Sequence, residues 1–208
     1  SVYFGDGSTL SWEEIKAGGF TGTEGDDILK LWPNEGGLVY GQSGDDQIVG
    51  SNQSDRLYGG AGNDRLDGSG GDDLLDGGTG DDHLIGGAGN DAFVFGKGYG
   101  HDTVDAYDSK YGKHDKIQII GLTPDEVEFG IEMVPSGSAK RCDFIVRIKE
   151  TGETMTVLDG MRDGYYGIQS IEFGDGTILS WDEIRDRGLH GTAGDDEIKL
   201  PTGTNAVI

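Results

Sequence analysis

A nine-residue pattern repeats in phase along the first half of this chain, and few folds can accept it. Six consecutive units begin at Gly41, Gly50, Gly59, Gly68, Gly77 and Gly86. Each carries aspartate at its sixth place: Asp46, Asp55, Asp64, Asp73, Asp82 and Asp91. A large apolar residue follows at the eighth place, as in Leu66, Leu75, Leu84 and Phe93. Glycines early in the unit allow backbone angles that a side chain forbids, so the segment turns tightly. The residues after the aspartate make a very short strand with its apolar residue inward. One unit is one turn and one strand, and two units close a coil of about 18 residues. The expected fold is all-β: a right-handed parallel β-roll with a strand on each face of every coil.

Two more segments extend the array. "GTEGDDILK" begins at Gly22 with its aspartate at Asp27, and "LWPNEGGLVY" is a degenerate unit, one residue too long, that keeps the coil going. A longer period of 169 residues relates "FGDGSTLSWEEIKAGGFTGTEGDD" from Phe4 to "FGDGTILSWDEIRDRGLHGTAGDD" from Phe173 without a gap. These periods divide the chain into an N-terminal cap (1–21), the roll (22–95), a β-rich capping segment with short helices (96–190) and the start of a further array (191–208). In the capping segment, Thr123 and Pro124 are placed to start a short helix over "TPDEVEF". "CDFIVRIKE" and "ETMTVL" read as an antiparallel hairpin. "SWEE" at Ser11 and "SWDE" at Ser180 are capping boxes, each opening a short helix. Trp12, Trp32 and Trp181 are expected to pack in the interior.

Charge narrows the partners. With 39 acidic against 16 basic residues the formal charge is −23, and only 34% of the chain is apolar. A polyanion of this kind repels nucleic acid and anionic membrane surfaces, and on its own would resist compaction. No apolar run is long enough to span a membrane. The lone Cys142 excludes an internal disulfide, so outside a cell another brace is needed. Stacked loops bring carbonyl oxygens and two aspartates together, and an empty site would set those carboxylates against each other. Calcium fits such a site, because it accepts six to eight oxygens at roughly 2.3–2.6 Å, carbonyls included, whereas magnesium demands tighter octahedra and zinc prefers histidine or cysteine. The histidines His83, His101, His114 and His190 share no ligand spacing and read as surface residues. Asp105 and Asp108 fit a polar turn as well as a terminal metal shell.

The pattern GGxGxDxUx, with U a large apolar residue, resembles the repeat-in-toxin (RTX) family of haemolysin-type calcium-binding repeats, and the match is specific over residues 22–95. "FGKGYGHDTV", "DKIQI" and "IQSIEFGDGTILSWDEI" resemble the segments that close RTX blocks in large secreted toxins. The resemblance implies a ligand rule: places two, four and six of one loop share an ion with places one, three and six of the loop one coil later. Thr23, Gly25 and Asp27 then face Gly41, Ser43 and Asp46. Gln42, Gly44 and Asp46 face Gly59, Ala61 and Asp64, while Gly60, Gly62 and Asp64 face Gly77, Thr79 and Asp82. On the other edge Ser51, Gln53 and Asp55 face Gly68, Gly70 and Asp73, and Ser69, Gly71 and Asp73 face Gly86, Ala88 and Asp91. A sixth, irregular set joins Gly78, Gly80 and Asp82 to Gly96, Gly98 and Asp102.

The resemblance also implies a setting: a secreted or cell-surface protein of a Gram-negative bacterium, exported unfolded by a type I secretion apparatus and folded by calcium outside. No HExxH, GxSxG or self-cleaving Asp-Pro motif is present, so the segment itself reads as non-catalytic. Two other readings are an adhesion module for carbohydrate or a host surface, and an accessory tail of a secreted hydrolase.

Overall fold

The fold is given by a computed structural model that describes residues 2–3, 9–10, 19–107, 114–136, 139–160, 168–187 and 190–191. A two-stranded antiparallel hairpin comes first, β1 (Val2–Tyr3) with β2 (Thr9–Leu10). The chain then winds back and forth between two sheets. One has eight strands in the order β18 (Ile178–Ser180), β17 (Ser170–Phe173), β13 (Lys116–Ile120), β11 (Ala92–Gly96), β9 (Leu74–Thr79), β7 (Arg56–Ala61), β5 (Leu38–Ser43), β3 (Phe20–Thr21). The other has nine, in the order β19 (His190–Gly191), β14 (Val127–Ser136), β15 (Ala139–Ile148), β16 (Thr154–Val157), β12 (His101–Asp105), β10 (His83–Ile85), β8 (Arg65–Asp67), β6 (Gln47–Val49), β4 (Ile28–Lys30).

Alternate strands fall in alternate sheets, and neighbours in the repeat region pair in parallel with the register of one coil, Leu57 with Leu75 and Leu66 with Leu84. This is a parallel β-roll. Its interior is a double column of apolar residues, the eighth-place ones continued by Val104, Ile117 and Ile171: Leu57, Leu75, Phe93, Ile117 and Ile171 from one sheet meet Ile48, Leu66, Leu84 and Val104 from the other, all 0% exposed. Burying each stabilises the fold by about 1.5–3 kcal/mol. The coil does not stop at Phe95, since β12, β13, β16 and β17 continue both sheets in parallel.

The capping segment departs from the coil. Thr123 opens only a single 3-10 turn, Pro124–Glu126, with the Glu126 carboxylate accepting from the Thr123 N–H at 2.8 Å. The expected helix ends there because Val127, Phe129 and Ile131 alternate inward at the period of a strand and are buried as β14. β14 pairs antiparallel with β15, and β15 with β16, as the "CDFIVRIKE" and "ETMTVL" pattern requires. Ser180 caps helix α1 (Trp181–Asp186), its hydroxyl and N–H both donating to Glu183 at 2.6 and 2.8 Å. Trp181 packs edge-on against Phe144 at 5.1 Å. Trp32 does not join the core: it lies 66% exposed at the turn of the degenerate unit, where Glu35 N–H donates to its carbonyl. The helix expected at Ser11, Trp12 and the array after Gly191 lie outside the described residues.

Candidate metal centre

The loop Gly59–Asp64 shows why the unit is built as it is. Gly60 and Gly62 hold φ of 118° and 130°, which places two left-handed turns within three residues. A methyl group on Gly62 would overlap the Gly44 carbonyl of the coil before, and one on Gly59 would overlap the carboxylate of Asp64. The tightness lets loops stack at strand spacing. Gly44 N–H donates to the Ala61 carbonyl at 2.8 Å, Gly62 N–H to Thr79 at 2.9 Å and Gly80 N–H to Tyr99 at 3.1 Å; on the other edge Gly71 N–H donates to Ala88 at 2.8 Å.

Two ladders of aspartate follow from that stacking. Along each ladder a sixth-place Oδ1 accepts the backbone N–H of the sixth-place aspartate one coil earlier. Asp64 accepts from Asp46, and Asp82 from Asp64, both at 2.8 Å, and Asp102 from Asp82 at 3.1 Å. On the opposite edge Asp73 accepts from Asp55 at 2.8 Å, Asp91 from Asp73 at 3.0 Å and Asp115 from Asp91 at 2.9 Å. One oxygen of each carboxylate is thereby spent on holding the coil. The other is not: Oδ2 of Asp46, Asp64, Asp73, Asp82 and Asp102 is buried with no hydrogen-bond partner. Burying a charged oxygen unpaired costs several kcal/mol, so each of these carboxylates calls for a proton or a cation.

The electrostatics agree. Burial pushes the Asp64 carboxyl up to about 6, Asp82 to about 7, and Asp73 and Asp102 to about 8, against the relief given by the backbone N–H each accepts; Asp46 is raised for the same reason. Repulsion between neighbouring aspartates, expected from the stacking, adds to this as the smaller cause. Among the described residues no three side chains of His, Cys, Asp or Glu gather around one point. Backbone carbonyls must therefore complete any shell, and a hard, flexible oxygen-seeking ion matches that donor set.

Comparison with known families points the same way. The model of the RTX calcium-binding nonapeptide repeat, four copies, matches residues 40–75 and 67–104. Residues 40–104 of the chain carry RTX repeats. A second model, of the haemolysin-type calcium-binding protein related domain, matches residues 143–183. No curated protein matches the chain significantly. The RTX repeats bind calcium, and the roll is their fold.

Within this RTX roll the loops are of two kinds. Gln42, Gly60, Ser69, Gly78 and Gly87, all at the second place, have positive φ, and their loops are open. The loops of Gly22–Asp27 and Gly50–Asp55 are closed instead. There Thr23 N–H donates to Asp27 Oδ2 and Ser51 N–H to Asp55 Oδ2, both at 2.6 Å, while each hydroxyl sits over the fourth-place backbone at 3.0–3.3 Å. The oxygen left unpartnered elsewhere is satisfied internally in these two. The degenerate unit keeps its coil through Gly37, whose N–H donates to Asp55 Oδ1 at 2.6 Å.

Several placements differ from the sequence expectation. In "GKGYGHD" the third place belongs to Tyr99 and the fourth to Gly100, whose added methyl would meet the Gly80 carbonyl, so Gly96 and Gly98 sit one step away from the expected stacking while Asp102 holds its rung. Asp115 continues the second ladder and was not foreseen; "HDKIQI" repeats the aspartate-x-apolar spacing of "NDAFVF" and was the signal available. The fifth place forms another ladder, running the opposite way along the roll: Asp26 Oδ1 accepts from Asp45 N–H, Asp45 from Asn63, Asn63 from Asp81 and Asp81 from His101, at 2.7–2.9 Å. His101 and His114 are thus coil residues. His83 lies on the outer face against Arg65 at 2.5 Å. Asp105 Oδ1 closes a polar turn on Tyr107 N–H at 3.1 Å, and Asp108 lies outside the described residues.

Proposed function

We propose that this RTX segment is the calcium-dependent folding module of a large exported protein, non-catalytic itself, which leaves a Gram-negative cell unfolded through a type I secretion apparatus and folds outside. The observation that carries it is the set of five buried, unpartnered aspartate oxygens stacked along the loops. A roll holding them without a cation is penalised, so binding and folding are one event. Calcium at 10⁻⁴–10⁻³ M, the range of extracellular modules, supplies the cation outside the cell, and cytosolic levels do not.

The proposed ligands are those of the stacked loops. Gln42, Gly44 and Asp46 act with Gly59, Ala61 and Asp64; Gly60, Gly62 and Asp64 with Gly77, Thr79 and Asp82; Ser69, Gly71 and Asp73 with Gly86, Ala88 and Asp91. Gly78, Gly80 and Asp82 act with the loop ending at Asp102. These four sets have open loops at their leading side and fill first. The sets led by Thr23, Gly25 and Asp27 and by Ser51, Gln53 and Asp55 must open an internally closed carboxylate and fill last. At ten times its dissociation constant each independent ion adds about 1.4 kcal/mol. Equilibrium dialysis with radioactive calcium tests this: four tighter ions followed by weaker ones are expected, and fewer than four ions at saturation would overturn the assignment.

A second reading, adhesion, is favoured by one surface feature. Tyr40, 39% exposed, stacks on Tyr58 at 5.0 Å on the outer face of the eight-stranded sheet, not far along the chain from the exposed Trp32. Aromatic faces of this kind can receive sugar rings. A glycan array that loses its signal in Tyr40→Ala would support that role, and an array with no signal would remove it.

A further inference from the structure

The 169-residue period is reproduced in the structure as well as in the sequence. β17 and β18 pair with Ile171 opposite Leu179 and Glu172 opposite Ile178. β1 and β2 pair with Val2 opposite Leu10 and Tyr3 opposite Thr9, each residue displaced by one full period. Residues before the roll therefore form the same hairpin that follows it. One step further on, β19 places His190 opposite Gly130 and Ile131 opposite Gly191, a parallel strand on the outer edge of β14. One period earlier the same stretch is Thr21–Gly22, at the end of β3. β3 is the outermost strand of the eight-stranded sheet.

We infer that consecutive copies of this module stack end to end, with β14 of one copy pairing in parallel with β3 of the next. The surface is the outer edge of β14, and its partner is a second copy of the same module. Two observations fix which sheet is handed on. The eight-stranded sheet is closed by the antiparallel β18, and α1 follows directly from that strand. Within one copy the nine-stranded sheet ends in β14, whose outer edge is paired at Gly130 and Ile131 by β19, the strand that opens the next copy. The nine-stranded sheet of one copy thus runs on as the eight-stranded sheet of the following one, and the two faces of the roll exchange places from copy to copy. An edge strand left bare is a template for pairing, and a solenoid end needs either a cap or a neighbour; this arrangement supplies the neighbour. Eight strands separate β4 from β14 inclusive along that sheet, so each copy lengthens the rod by roughly 40 Å at about 4.8 Å per strand.

Two measurements in saturating calcium test it. In the 208-residue chain carrying Cys142→Ser, paired substitutions Gly130→Cys and His190→Cys should cross-link with a short bifunctional maleimide. Ile178→Cys with His190→Cys should stay at background. Small-angle scattering of a chain lengthened by one 169-residue period, with no substitutions, should show one rigid rod longer by roughly 40 Å than a single period. Cross-linking to position 178 in place of 130, or scattering from two bodies on a mobile joint, would overturn the inference. Circular dichroism confirms that each cysteine variant folds, and the scattering needs none of them.

Discussion

Replacing Asp64 by asparagine should stabilise the metal-free roll and destabilise the calcium-loaded one. Asparagine keeps Oδ1, so the bond from Asp46 N–H at 2.8 Å survives. It removes the charge from a buried oxygen that has no partner. Burial raises the Asp64 carboxyl from 3.8 to about 6, and at pH 7.5 that displacement corresponds to about 3 kcal/mol against the metal-free fold, which Asp64→Asn recovers in large part. With calcium the sign reverses. Asp64 belongs to two proposed ligand sets, and calcium affinity follows ligand charge. About tenfold weaker binding in each set costs about 1.4 kcal/mol per ion. The assay is circular dichroism in two series: folding of the chelator-treated chain by a stabilising osmolyte, and folding by calcium. The osmolyte midpoint should fall and the calcium midpoint rise. Shifts in the same direction in both series would refute the reasoning that the free oxygen of Asp64 is reserved for a cation.

Other outcomes follow from the same geometry. A carboxyl whose folded pKa lies above its unfolded value favours folding below the unfolded pKa, and that advantage is lost as pH rises through the folded one. Asp73, raised from 3.8 to about 8, thus takes roughly 5 kcal/mol from the metal-free roll between pH 4 and pH 8. Chelator-treated protein should accordingly show more β signal near pH 4 than near pH 8. Ser69 holds a φ of 69°, so Ser69→Gly should stabilise the calcium form by about 1 kcal/mol in thermal melts. Gly62→Ala, with φ 130° and a carbonyl in the way, should abolish calcium-induced folding of its coil by limited proteolysis. Gly70→Ala, whose nearest atom would be 3.7 Å away, should be tolerated.

The roll was legible because nine residues fix both its strand and its turn: Leu57, Leu75 and Phe93 stack at the register their spacing dictates. What escaped depended on contacts between coils. Asp115 is 24 residues from Asp91 in place of 18, since the intervening loop is longer, and spacing alone does not place it. Whether a loop is open or closed turns on the sign of one φ, positive at Ser69 but not at Ser51, although both are second-place serines. At Ser51 the hydroxyl is turned to Gln53 N–H, while at Ser69 the backbone N–H reaches Asp67 Oδ1 at 3.0 Å. Trp32 reads as core by residue type, yet it falls on the turn side of its coil, where the only inward position is Leu31.

The central claim, that calcium completes this fold, is tested most directly by titrating calcium into chelator-treated protein while following far-ultraviolet circular dichroism, with magnesium in parallel. A cooperative rise of β signal between about 0.1 and 1 mM calcium, absent with magnesium, is the predicted result. A chain already folded in chelator at neutral pH, or folded equally by magnesium, would contradict it.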